Sequence, residues 1–262
     1  LIKPALLLDR VTHVYVTERG ATLSVDNIGF TVAPGEFVSL VGPSGCGKTT
    51  LLSMIAGLFP PTQGVIERAG ESCERPSPRI GYMLQQDYLF PWLTILDNVM
   101  IGLEVNRMVD AASKSRVIRL LDELGLGKVQ DYYPNQLSGG MRQRAALVRT
   151  LATEPELLLL DEPFSALDYQ TRLQLEELIL DILKDRNKTA LLVTHDISEA
   201  IAMSDRVLVM ERNPGRIRRE IRIPDKIRCA GPIEARELPG FHPLFHEIWQ
   251  ELEEPDRKGE ER

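Results

Sequence analysis

The chain has 262 residues, 43% of them hydrophobic and 26% charged, with a formal net charge of −7. That length buries a full core and suits one large domain, or a domain carrying a substantial insertion, while no apolar run approaches the ~18 residues of a membrane span. The acidic balance lacks the clustered basic footprint of a nucleic-acid binder, and three widely spaced cysteines, Cys46, Cys73 and Cys229, with no C-x-x-C pair, suit neither a disulfide framework nor a zinc site. The opening LIKPALLLDR has no signal-peptide pattern, so a reducing, cytoplasmic setting is the expectation.

From Ala5 to Val41, ALLLDRVTHVYV, ATLSVDNIGFTV and EFVSLV are rich in β-branched and aliphatic residues, with ERG and APGE as turns. They predict an antiparallel β layer leading into a buried strand. After Gly47, KTTLLSMIAGL has helical spacing and FPPTQG stops it. Between strand and helix lies GPSGCGKTT, comprising Gly42, Pro43, Ser44, Gly45, Cys46, Gly47, Lys48, Thr49 and Thr50. It satisfies G-x-x-x-x-G-K-[ST] in the context that the motif's mechanism requires. Glycines let backbone N–H groups wrap phosphates, Lys48 brings positive charge to the β and γ groups, and the Thr49 hydroxyl suits Mg²⁺. Cys46 stands at a helix start, where a thiol pKa tends to fall; the favoured reading is a small residue tolerated in the loop.

Residues from about 87 to 155 change character. TILDNVMIGLEVNR, DAASKSRVIRLLDELG and GGMRQRAALVRTLA all read as amphipathic helices, which predicts an inserted helical subdomain. Within it, Ser138, Gly139 and Gly140 precede an amphipathic run, where a helix N-terminus offers N–H groups and a hydroxyl to an anion. An α/β pattern then resumes: ELLLLD, KTALLVTH and DRVLVME as strands, YQTRLQLEELILDILKD and ISEAIAMS as helices. Short apolar runs alternating with helices predict a mostly parallel sheet with helices on both faces.

Asp161 and Glu162 end one of these strands, where α/β folds present groups to ligands. Asp161 suits Mg²⁺ and Glu162 suits a base toward an attacking water; taken alone, such a pair equally caps a helix. His195 ends another buried strand, where an imidazole can hydrogen-bond a γ-phosphate or the attacking water. Near the end, ERNPGRIRREIRI (211–223) has five Arg against two Glu, and EIWQELEEPDRKGEER (247–262) is mostly acidic. They read as a solvated strand edge and a frayed tail. Beyond about residue 225 the chain is rich in turn residues before a short helix candidate, HPLFHEIWQELEE.

GPSGCGKT, LSGGM, LLLLDEP, SALD and TH, in this order, resemble the nucleotide-binding subunit of ATP-binding cassette (ABC) transporters across about residues 5–225. The resemblance implies a P-loop NTPase core with an antiparallel β layer and the helical signature subdomain (about 87–155) inserted in a domain spanning 1–225, followed by a short C-terminal extension, 226–262. It implies a head-to-tail dimer in which ATP with Mg²⁺ is clamped between one P-loop and the partner's signature loop, so Ser138, Gly139 and Gly140 serve the other subunit's γ-phosphate. It also implies that Gln85 senses Mg²⁺ and links the site to the membrane subunits, that Asp168 joins the two sites, and that Tyr15 stacks on adenine. Met141 departs from the Gln often found after LSGG.

One set of motifs without heptad arms or membrane spans resembles a bacterial importer ATPase rather than a chromosome-maintenance, translation-type or exporter member. LFPWLTILDNV, LSGGMRQR, DEPFSALDYQTR and NPGRI resemble the branch serving nitrate, sulfonate and taurine uptake. The alternatives are an importer of another small solute, such as a pyrimidine vitamin precursor, and a non-transport ABC ATPase. The implied partners are a second copy of the chain, two transmembrane permease subunits and, indirectly, an extracytoplasmic solute-binding protein, with no nucleic acid. The implied place is the cytoplasmic face of the membrane, held peripherally.

Overall fold

A computed structural model describes residues 3–18, 20–165 and 167–253, apart from the side chain of Asp185. Arg19 of the expected ERG turn, Ala166 of SALD and residues 254–262 of the acidic tail lie outside the described residues. The chain forms two compact units, residues 1–76 with 189–262, and residues 77–188.

The first unit begins with strands β1 (Leu6–Thr17) and β2 (Gly20–Val32), paired antiparallel from Leu6↔Val32 to Thr17↔Gly20. Strand β3 (Phe37–Val41) is buried at every position, as its unalternating FVSLV requires. Helix α1 (Lys48–Ile55) follows and buries Leu51, Leu52, Met54 and Ile55. Strands β4 (Gln63–Arg68) and β5 (Glu71–Ser72) complete an antiparallel sheet in the order β2-β1-β4-β5. The expected antiparallel layer is therefore present, with β4 as a member that the turn-rich FPPTQG and the weak alternation of QGVIER conceal.

In the second unit, β6 (Ile80–Met83) is followed by helices α2 (Ile95–Val105), α3 (Ala111–Glu123) and α4 (Gly139–Leu151). Their apolar faces have i, i+3/i+4 spacing: Ile95, Val99 and Leu103; Val117, Leu120 and Leu121; Ala145, Val148 and Ala152 are all buried. Each helix starts on a side-chain cap, which relieves unpaired backbone donors. Thr94 accepts from Asp97 N, Asp110 forms a reciprocal capping box with Ser113, and Ser138 accepts from Met141 N. Strand β7 (Leu157–Asp161) lies parallel to β6, and α5 (Tyr169–Asp185) closes the unit.

The chain then returns to the first unit with β8 (Thr189–Thr194), α6 (Ile197–Met203), β9 (Arg206–Glu211) and β10 (Arg216–Arg222). Strand β3 lies between β8 and β9 and runs parallel to both, while β10 pairs antiparallel with β9. Helices α7 (Asp225–Arg228), α8 (Pro232–Glu237) and α9 (Phe241–Glu253) come last. Phe241, Leu244 and Ile248 of α9 share one core with Ile197, Ile201, Val207 and Ile221. No helix among the described residues is long and apolar enough to cross a membrane.

The two charged segments near the end correct their expectation as solvent-facing features. Arg218, only 4% exposed, sits 3.8 Å from Glu211 and 3.9 Å from Glu251, and its Nη1 donates to the Glu251 carbonyl at 2.8 Å. Arg219 pairs with Glu247 and Glu251. The basic strand and the first part of the acidic segment thus neutralise each other, because a guanidinium buried by α9 requires partners. Replacing Glu251 with Ala leaves Arg218 short of charge compensation and should cost about 2–3 kcal/mol. That lowers Tm by roughly 5–10 °C. Glu247→Ala, which removes only a partner of the exposed Arg219, should cost under about 1 kcal/mol. Equal melting temperatures for the two variants would contradict this ranking.

Candidate functional site

Strand β3 delivers the glycine loop into α1. Gly47 is the N-cap of α1 at φ 93°, with no side-chain cap hydrogen bond. A Cβ there would stand 2.4 Å from Val25 Cγ1, so only glycine fits. Gly47 therefore offers no side-chain acceptor to the first turn of α1, the arrangement that favours an anion. Lys48 is buried, and its Nζ donates to the carbonyls of Gly42 at 2.6 Å and Pro43 at 3.1 Å. The ammonium is thereby held against the loop's own backbone, and this donor set fits a nucleotide phosphate chain.

Cys46 behaves as the favoured reading has it, a small residue accommodated in the loop rather than an activated thiol. Its side chain is fully buried, and burial pushes the thiol up although Lys48, 3.6 Å away, pulls it down. Tyr15 is half-exposed, with its hydroxyl 3.3 Å from Thr50 Oγ1, which also accepts from Ser24 Oγ at 3.2 Å. Its ring lies edge-on to His13 at 4.7 Å and 6.1 Å from Phe59. Burial holds the His13 imidazole below its usual pKa. The loop thus has an aromatic cluster beside it rather than one tyrosine. The i, i+2 spacing of His13 and Tyr15 along β1 carried that signal, whereas Phe59 follows α1 and carried none.

The β3–β8 register pairs Val41 with Thr194, so Gly42 and His195 leave adjacent strand ends. Backbone on both sides of His195 is pinned: Thr194 Oγ1 donates to Glu199 at 2.6 Å and accepts from Asp196 N, and Asp196 caps α6 through Ser198 N and Glu199 N. Thr194 and Glu199 are buried. No separate pattern of residue types marks this support, since both sit within ordinary strand and helix patterns.

In the second unit, the β6–β7 register ends at Met83↔Leu160, which carries Gln85 to Glu162 two residues on. Gln85 Nε2 donates to Glu162 Oε2 at 3.0 Å. Asp161 is buried, and Glu162 holds a left-handed φ of 47°, a conformation that non-glycine residues keep only where the surroundings impose it. The helix-cap alternative for this acidic pair does not hold, because α5 is capped by Asp168. Hydrogen bonds from Thr171 to the Asp168 carboxylate hold its pKa below the usual range. This cap is complete above the ordinary carboxylate pKa and is lost as pH falls through the depressed value.

Ser138 caps α4, with Gly139 and Gly140 opening the helix. A Cβ on Gly140 would lie 2.9 Å from Thr171 Cγ2, so the start of α4 packs closely on the first turn of α5, the turn that Asp168 caps. Arg142 and Arg149 were not anticipated. Arg142 donates to Asp87 at 3.0 Å and to the Leu137 carbonyl at 2.8 Å, while Arg149 donates to the carbonyls of Asp87 and Tyr88. The segment after Gln85 is therefore fastened to the residue preceding Ser138.

Among the described residues, no group of three or more His, Cys, Asp and Glu could hold a metal ion by itself. The buried carboxylate of Asp161 is of a kind that fits Mg²⁺, which takes one or two protein carboxylates plus substrate phosphates.

Residues 25–165 match the family model described as ABC transporter. The uncharacterized ABC transporter ATP-binding protein YtlC of Bacillus subtilis is 52% identical over 94% of this chain and 95% of its own length. The aliphatic sulfonates import ATP-binding protein SsuB 2 of Burkholderia cenocepacia is 45% identical over 85% of this chain and 80% of its own. Among solved structures, the ATP-binding cassette MJ0796, a dimer in a post-hydrolysis state bound to ADP and Pi, aligns with a TM-score of 0.75 at 31% identity. That alignment covers 84% of this chain and 99% of MJ0796.

Proposed function

Since the chain belongs to the ABC transporter ATP-binding family and is an ATPase of that type, we propose that it powers an importer whose cargo is nitrate, a sulfonate or taurine. The observation that carries the catalytic part is the Gln85–Glu162 hydrogen bond at the ends of β6 and β7. It orients one carboxylate as the base toward an attacking water, and phosphoryl transfer asks for little more than such orientation and charge neutralisation. The cargo part is supported by the likeness to an aliphatic sulfonates import protein and by LFPWLTILDNV and NPGRI.

In this reading, residues 42–50 with Lys48 bind the phosphates, Tyr15 meets adenine, and His195 hydrogen-bonds the γ-phosphate or the water. Thr49, Asp161 and Gln85 would hold Mg²⁺, which when bound neutralises phosphate charge. Ser138, Gly139 and Gly140 serve the ATP of a second copy placed head to tail, and Asp168 joins the two sites. The ATPase domain is 1–225, with the helical signature subdomain at about 87–155, and 226–262 is a short extension. The chain works peripherally at the cytoplasmic face of the membrane, with two permease subunits and, through them, a solute-binding protein.

The test is reconstitution with the permease and binding protein in vesicles, followed by phosphate release. Taurine, an alkanesulfonate or nitrate should stimulate hydrolysis several-fold. Stimulation by an unrelated solute alone would overturn the cargo assignment and leave the ATPase assignment standing.

A further inference from the structure

The glycine loop needs a fixed shape before it can hold phosphates, and the wall behind it is built from residues outside every nucleotide motif. Gly47 presses on Ser24 and Val25 of β2, and Gly42 approaches the Met210 carbonyl of β9, where a Cβ would come within 2.9 Å. The third contact comes from the β9–β10 turn. A Cβ on Gly215 would stand 2.0 Å from the Cys46 carbonyl oxygen and 3.0 Å from that of Ser24. Those are backbone atoms, which cannot swing aside as a flexible side chain can.

The turn itself is fixed. Gly215 N donates to Ser24 O at 3.0 Å, Asp26 N donates to Gly215 O at 2.9 Å, and Arg216 pairs with Asp26 at 2.6 Å. Gly215 thus lies between β2 and the middle of the loop, and it carries no chemistry of its own. We propose that Gly215 is a positioning residue for nucleotide binding: its bare backbone sets the Cys46 peptide, and through it the phosphate-facing loop. This gives NPGRI, which the catalytic reading leaves unused, a physical role. The proposal rests on the P-loop reading of residues 42–50.

The experiment compares four variants of the full chain by ATP affinity, measured with a fluorescent analogue, and by Tm without nucleotide. Gly215→Ala should weaken binding about tenfold or more, since displacements near 1 Å at a site have effects of that size or larger. Gly29→Ala, whose Cβ would meet its nearest atom at an ordinary 3.7 Å, should bind as the native chain does. Asp26→Asn, which loosens the turn without filling space, should weaken binding several-fold at a Tm within about 2 °C of native. It becomes the deciding variant if Gly215→Ala does not fold. Lys48→Ala separates the premises: unchanged affinity there refutes the P-loop reading itself. With Lys48→Ala impaired, native affinity in folded Gly215→Ala, even at a lowered Tm, overturns the positioning role.

Discussion

Glu162→Gln should lower the ATP turnover number by at least about 10²-fold, the usual contribution of a general base, while leaving ATP affinity and Tm near native. The substitution keeps the shape and the acceptor toward Gln85 Nε2, which donates to Glu162 Oε2 at 3.0 Å. It removes only the ability to take a proton. Glu162 also occupies a left-handed backbone position at the end of a buried strand, so the effect is not one of repacking. With hydrolysis stopped and binding intact, ATP should hold two copies of the chain together, which size-exclusion chromatography would read as a dimer stable in ATP and absent in ADP. Turnover within a few-fold of native would remove Glu162 from the role of base. Loss of ATP binding would show that the substitution damages the loop rather than the chemistry.

Ser138→Arg should abolish turnover, by about 10²-fold or more, yet leave ATP binding to the single subunit unchanged. Ser138 is exposed at the start of α4, and its Oγ accepts from Met141 N at 3.3 Å. Arginine forfeits this cap, worth about 1 kcal/mol, and sets a long cation at the positive end of a helix. The single subunit's own loop, 42–50, lies in the other compact unit and carries its own donors. Ser138→Ala separates the two contributions. It loses the cap to the same extent but adds neither bulk nor charge, so it should keep a measurable fraction of turnover. If Ser138→Arg hydrolyses ATP normally, or if it fails to bind ATP as a single subunit, the assignment of this loop to a partner's nucleotide is wrong.

The shape of the glycine loop was legible because it is local. Gly42, Gly47, Lys48 and Thr49 stand within one strand–turn–helix segment, and the conformation of Gly47 follows from its residue type. The acidic pair was half legible. A strand ending in Asp161 and Glu162 suits catalysis or capping equally; capping falls away only because Asp168 is the cap of α5, and Gln85 is seen to bond Glu162 only across the paired strand ends. The two charged segments near the end were misread for a related reason. Each alone is well solvated, and only the packing of α9 near β10 sets Arg218 between Glu211 and Glu251.

By itself, then, the amino-acid sequence determined the alternation of strands and helices, the phosphate loop and the family, since each depends on residues close in the chain or on a fixed order of short motifs. Tertiary structure alone decided what register and packing decide. It paired Gln85 with Glu162 across β6 and β7, drew Asp87, Arg142 and Arg149 together, and gathered His13 and Phe59 around Tyr15. It also set Gly215 against a carbonyl 169 positions earlier in the chain. Such contacts arise from where strands end relative to one another, and no local pattern of residue types encodes that.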